Sequence, residues 1–156
     1  MANYFEVRIK RTYVDENNTY KTVKEAYLID AVTYTEAEAR MAKFMEQQYK
    51  GDSYTVLKIQ SSKISMLYAQ QVQPIDEEGT MPDMSYFKVK CVVLMEIEGR
   101  KKPKRVPVIG LVKAIDPENA VTVVDEMMNK HYDAENFELV KMEKTKFVGV
   151  VVASKK

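Results

Sequence analysis

Residues 27–64, YLIDAVTYTEAEARMAKFMEQQYKGDSYTVLKIQSSKI, change their hydrophobic period twice. Tyr27, Ile29 and Ala31 alternate with Leu28, Asp30 and Val32, the period of a strand. From Ala37 the apolar residues step by three and four through Met41, Phe44 and Met45, the stripe of an amphipathic helix. Thr33 is the expected N-cap, with Glu36 at the acidic position of a capping box. Glu36–Arg40 and Glu46–Lys50 pairs are each worth about 0.2–0.5 kcal/mol, so burial of the stripe must hold this helix. Gly51 stops it, and Tyr54 to Ile59 resumes a strand of aromatic and branched residues. The stretch reads as strand, helix, strand.

Residues 110–147, GLVKAIDPENAVTVVDEMMNKHYDAENFELVKMEKTKF, repeat these roles 83 positions later. Asp116 takes the place of Thr33 as cap, and Pro117 opens the helix. Ala120, Val124, Met127, Met128 and Tyr132 match Ala37, Met41, Phe44, Met45 and Tyr49. Phe137 to Met142 match Tyr54 to Ile59, and Gly110 stands where the first copy has Tyr27. Relief of crowding and a local bend are both open at Gly110. The spacing persists through helix, loop and strand, which identifies an internal duplication. Short repeats commonly bury a shared core between copies.

Working outward, Tyr4 to Val14 is a strand with Phe5, Val7 and Ile9 inward and Glu6, Arg8 and Lys10 outward. Residues 15–18, DENN, make a turn, and a return strand runs from Thr19 or Tyr20 to Val32. Ile64 to Tyr68 and Phe147 to Ala153 are expected to end each copy with a further strand. Tyr86, Phe87 and Val89 match Tyr4, Phe5 and Val7 at an offset of 82, so one extra residue must enter a turn or bulge before the offset becomes 83. The expected fold is α+β: an internally duplicated β-β-α-β-(β) unit with helices packed on a mainly antiparallel sheet. Residues 1–156 form a single composite domain, with a first repeat over 3–73, a linker over 74–84 and a second repeat over 85–153. One extended sheet and two sheets are equally compatible with the pattern.

The apolar fraction of 46% and charged fraction of 30% are those of a soluble globule. A net charge of +1 gives no global polyanion field, leaving only local patches to consider. Cys91 is the only cysteine, which excludes an internal disulfide and a thiolate metal cluster, and fits a reducing compartment. The opening YFEVRIKR lacks a signal-peptide core, and no apolar run is long enough to span a membrane. Cytoplasmic residence and no membrane partner are expected.

Catalytic chemistry finds little footing. Cys91 shares a strand face with Phe87, Val89 and Val93, the setting of a packed thiol. His131, the sole histidine, follows a helical Met stripe without an acidic partner at fixed spacing. Asp76, Glu77 and Glu78 lack a Ca²⁺-loop pattern and read as solvated linker. Dinucleotide, P-loop and nucleophile-elbow patterns are absent. No catalytic residue, metal or cofactor is expected, and the chain reads as a non-enzyme.

Binding is the leading reading. Duplicated sheet edges with ten Tyr and ten Met residues suit a protein partner or a homo-oligomer. The alternative is single-stranded nucleic acid, held by Tyr-bearing sheet elements and cations. Its candidate residues are Arg8, Lys10, Lys88 and Lys90, with Arg100, Lys101, Lys102, Lys104 and Arg105 in the second hairpin turn. That reading requires a shared face for these groups. A third reading, an enzyme with a pocket between the repeats, rests on His131 alone.

The stretch YLIDAVTYTEAEARMAKFMEQ and the strand YFEVRIKR resemble an uncharacterised domain family of Bacteroidetes and their phages, over most of the chain. The resemblance implies a small intracellular protein of unknown function. It brings no active residues, and a phage setting is compatible with nucleic-acid and assembly roles alike.

Overall fold

Strand β1 (Tyr4–Val14) buries Phe5, Val7 and Ile9 and leaves Arg8 and Lys10 exposed, as its alternation dictates. The computed structural model describes residues 3–69, 76–99, 101–131 and 137–152. Arg100, Tyr132, Ala153 and the 70–75 part of the first repeat and linker lie outside the described residues. Strand β2 (Tyr20–Asp30) returns antiparallel in unbroken register from Val14–Tyr20 to Tyr4–Asp30. The turn between them is held by Asp15, whose carboxylate accepts from the Asn17 and Thr19 amides. Asn18 takes a left-handed φ of 63°, which a short polar side chain tolerates.

Helix α1 (Tyr34–Gln48) starts where its cap predicts. The Thr33 hydroxyl accepts from the Glu36 amide at 3.1 Å, and the Glu36 carboxylate accepts from the Val32 amide. Helix α2 (Pro117–His131) repeats that geometry: Asp116 accepts from the Asn119 amide at 2.7 Å, and Asn119 accepts from the Ile115 amide. Each helix presents a buried stripe, Ala37–Met41–Met45 in α1 and Ala120–Val123–Val124–Met127–Met128 in α2. A fully buried aliphatic side chain contributes about 1.5–3 kcal/mol, so these stripes outweigh the partly exposed Glu36–Arg40 ion pair.

The remaining strands are β3 (Ser53–Ser62), β4 (Met66–Ala69), β5 (Ser85–Met95), β6 (Lys104–Ala114), β7 (Phe137–Lys144) and β8 (Phe147–Val151). They form two four-stranded sheets, ordered β3-β1-β2-β8 and β4-β6-β5-β7. The hairpin and β1–β3 or β5–β7 pairings are antiparallel; β2–β8 and β4–β6 are parallel. Both hairpins keep a continuous register, so the extra residue of the second copy sits in the β5–β6 turn.

The chain divides into two units that cut across the repeats. Unit 1 comprises residues 1–63 and 146–156, and unit 2 comprises 64–145. Each unit is therefore completed by the last strand of the other repeat: β8 in unit 1 and β4 in unit 2. Side-chain size follows this exchange. In unit 1, Tyr27 lies opposite Gly149; in unit 2, Gly110 lies opposite Met66. The ring of Tyr27 would stand 3.3 Å from a Cβ at position 149. At Gly110 an added Cβ would come 3.0 Å from the Met127 methyl, so crowding by the helix explains that glycine. Had each repeat kept its own strand, Tyr27 would face Met66 and Gly110 would face Gly149. Large would meet large and small would meet small, an overpacked contact and a void.

The helix-side core of unit 1 gathers Phe5, Val7, Ile9, Tyr27, Ile29, Met41 and Met45. That of unit 2 gathers Phe87, Val89, Cys91, Val93, Val112, Val123 and Met127.

Candidate functional site

Residues directly opposite across a ladder point to the same face, so register decides which cations meet. In unit 1, Lys10 is opposite Lys24, and Arg8 is opposite Lys58. All four lie on the sheet face away from α1, and all four are exposed. That face is apolar and buried at one end, at Tyr4 and Leu28, and turns polar towards Thr12, Thr22 and the hairpin tip. Like charges directly opposite are destabilising by roughly 0.2–1 kcal/mol per pair. Two such pairs side by side form a site of raised positive potential.

One carboxylate borders the cluster. Glu6 accepts from Arg8 Nε and from Gln60 Nε2, each at 2.9 Å. Burial pushes its carboxyl up, but these hydrogen bonds outweigh burial and leave it below the ordinary range. Arg8 keeps more than half of its side chain exposed, so this surface pair does not withdraw it from solvent. Among the described residues, Lys10, Lys24 and Lys58 make no ion pair.

In unit 2, Lys88, Lys90 and Arg105 share the face away from α2, since their ladder partners are Leu111, Ile109 and Leu94. Lys90 is also opposite Lys141. Arg105 reaches Glu138 at 3.7 Å, an exposed pair of little energetic consequence. Lys104, opposite Met95, points to the other face, and Lys101 and Lys102 are exposed in the turn. Arg100 lies outside the described residues. The expected strand cations thus lie on two different sheets, Arg8 and Lys10 in unit 1 and Lys88 and Lys90 in unit 2, and the 101–105 turn divides between faces, so no single sheet face gathers them all.

The tyrosines divide too. Tyr54 lies opposite Arg11 and Tyr68 opposite Val112, both on the helix side with Tyr13. Tyr4 is buried, and Tyr86 is half-buried beneath Lys113. Tyr20, 77% exposed at the hairpin tip, is the one tyrosine on the cation face of unit 1 that is free to stack. Lys24, Lys58 and Lys141 escaped the sequence reading. Lys24 was reachable, because a turn centred on Asn17 already pairs it with Lys10.

A separate polar cluster closes the helix side of the β3-β1-β2-β8 sheet. Arg11 donates to Glu25 and Asp52, each at 2.9 Å, and stacks 4.0 Å from the Tyr49 ring at the α1 C-terminus. Tyr27 donates to Glu25 at 3.3 Å. The hydrogen bond to Glu25 raises the Arg11 pKa, and burial raises that of Tyr27 first, followed by its hydrogen bond with Tyr49. Arg11 thus stays charged and Tyr27 neutral, with every member of the cluster paired.

Groups with catalytic potential stand apart. Cys91 is fully buried, and burial first, then the charge of Asp125, pushes its thiol up to about 11. His131 is exposed at the end of α2. Among the described residues, no group of three or more His, Cys, Asp or Glu side chains is placed to hold a metal ion. Asp76 instead caps its own turn by accepting from the Glu78 and Thr80 amides. A cavity of about 220 Å³ beside Phe87, Asp116 and Met142 is smaller than the ~300–1,000 Å³ of sites that enclose a small molecule. No described helix is long and apolar enough to cross a membrane.

The chain belongs to the family described as Domain of unknown function (DUF4494), which matches residues 3–153. This agrees with the resemblance of its first strand and helix to an uncharacterised domain family. No curated protein matches the chain.

Proposed function

We propose that the protein is a non-enzymatic binding module that holds single-stranded nucleic acid by its backbone on the helix-free face of unit 1. The observation that carries this reading is the adjacency of two like-charge pairs, Lys10–Lys24 and Arg8–Lys58. Glu6 offsets only part of this charge, through Arg8 and Lys58, and phosphates bound between the cations would relieve the remaining repulsion. Thr12, Thr22 and Thr55 supply hydroxyl donors along the same face. Tyr20 offers one stacking surface at its rim. Backbone contacts position a strand without reading its bases, so binding is indifferent to sequence.

Anisotropy titrations with labelled oligothymidylate, oligoadenylate and duplex DNA test this reading. With one phosphate held by each pair, the two pairs predict a log–log salt slope of about −1.4 for a single strand. Lys10→Gln with Lys24→Gln should lower its magnitude by about 0.7, whereas Lys43→Gln on α1 should leave it unchanged. No binding at low salt, or equal loss with Lys43→Gln, would end the proposal.

A second reading, a protein partner or a second copy of the chain, is favoured by β8. Among the described residues this strand pairs with β2 alone, and it exposes Val148. A short apolar edge can accept an added strand. Light scattering across a concentration series separates self-association from a monomer that needs a different partner.

A further inference from the structure

The two units repeat one unfavourable arrangement at the same place. Arg8 faces Lys58 in unit 1, and Lys90 faces Lys141 in unit 2, at equivalent positions of the duplication. A register shift follows each pair immediately, between Arg8 and Ile9 and between Lys90 and Cys91. Each shift leaves one residue of the edge strand unopposed, Leu57 in β3 and Val140 in β7. These are 49% and 51% exposed, although each is a large aliphatic side chain on a strand. A bulge re-aims the neighbouring side chains and increases local twist. Thus each unit carries two opposed cations beside an exposed aliphatic group on a bulged edge.

From this we infer that the protein has two equivalent anion subsites, Arg8–Lys58 in unit 1 and Lys90–Lys141 in unit 2, each seating one phosphate of a nucleic-acid strand. The inference rests on the nucleic-acid reading and extends it to a second site. Each phosphate sits between the two cationic heads, and the adjoining nucleoside packs on Leu57 or Val140. The chemistry suits a phosphodiester, which joins an anion to an apolar-faced base.

The subsites differ in their surroundings. Beside the first lie the Lys10–Lys24 row and the Glu6 carboxylate, which accepts from Arg8 at 2.9 Å; the counterpart of the row in unit 2 is Val92 opposite Pro107. Beside the second, Lys88 faces Glu143, and the two charges offset one another. The Lys90–Lys141 subsite is therefore the weaker of the two.

Calorimetry at low salt tests the inference, using an oligothymidylate of about five nucleotides, near the lower end of single-strand site sizes. The full chain should take up two equivalents. Lys90→Gln with Lys141→Gln should take up one and keep the tighter phase. Arg8→Gln with Lys58→Gln should weaken that phase and leave the other unchanged. Thermal unfolding checks that each pair of surface substitutions leaves the fold intact. Two equivalents retained by the Lys90/Lys141 variant would overturn the second subsite. One equivalent in the unaltered chain, sensitive only to the unit 1 substitutions, would overturn it while leaving the proposed function standing. No uptake at all would remove both.

Discussion

At the end of the β3-β1-β2-β8 sheet beside the α1 C-terminus, unit 1 holds Arg11, partly buried, between Glu25 and Asp52. At the equivalent place, unit 2 buries Val93 beside Val108. The two pairs occupy the same diagonal of the same hairpin, since Arg11 and Val93 face Val23 and Val106 while Glu25 and Val108 face Ile9 and Cys91. One architecture thus accepts an ion pair or two valines at a single corner. The ion pair must be complete: desolvation is offset only while both carboxylates and the guanidinium are present. The valines require no partner beyond close packing. Polar closure makes unit 1 the half more sensitive to single substitutions.

The largest test of this contrast removes one partner. Arg11→Ala should cost about 1–3 kcal/mol, because the partly buried Glu25 and Asp52 carboxylates lose their charged donor. The double change Arg11→Val with Glu25→Val, which copies the Val93–Val108 pair but leaves Asp52 without its cation, should recover part of that loss in urea unfolding. If the double variant is no more stable than Arg11→Ala, the two corners are not interchangeable.

A second test uses the neighbouring core position, Ile9 in unit 1 and Cys91 in unit 2. Burial raises the Cys91 thiol from 9.0 to about 11. Between those values the unfolded chain has lost the proton and the folded chain still holds it. Stability is therefore full below pH 9 and falls as pH climbs towards 11, by about 1–3 kcal/mol in all. Cys91→Val should flatten that decline in melts taken across the interval. An unchanged slope would assign it to other groups, such as the tyrosines Tyr27 and Tyr86, whose hydroxyls burial also pushes up.

The smallest effect compares the glycines at the exchanged strands. Gly149→Ala sets a methyl against the Tyr27 ring, which is packed edge-on against Phe44 and cannot swing away. Gly110→Ala meets the flexible end of Met127. The first should cost about 1–2 kcal/mol and the second less than about 1 kcal/mol. Thermal melts showing the reverse order would mean that Met127 is the more tightly held.

Local signals made much of this readable in advance. Thr33 with Glu36, and Asp116 with Pro117, mark helix starts because capping is decided within four residues. Alternation in β1 assigned Phe5, Val7 and Ile9 to one face and Arg8 and Lys10 to the other. The same alternation puts Arg11 inside, yet its partners Glu25 and Asp52 are distant in sequence, and no local pattern announces them. The strand expected over Ile64 to Tyr68 forms as Met66–Ala69, but alternation specifies a face and not a neighbour. Its parallel place beside β6 pairs Met66 with Gly110, residues 44 positions apart. The cation pairs were half readable: the first turn sets Lys10 against Lys24, whereas Lys58 and Lys141 reach their partners across bulges. Tyr residues spaced along strands suggested a stacking platform; register sends Tyr54 and Tyr68 to the helix side instead.

The exchange of β4 and β8 also sets the order in which the molecule can be finished during synthesis. Unit 2 has all its strands once residue 144 has been made. Unit 1, although its first three strands and helix emerge earliest, lacks its fourth strand until β8 follows. Until then β2 presents an open, apolar edge at Tyr27, Leu28 and Ile29, the kind of edge that invites pairing with another chain. The half made first is the half closed last, and nascent chains are most exposed to misassembly through unit 1.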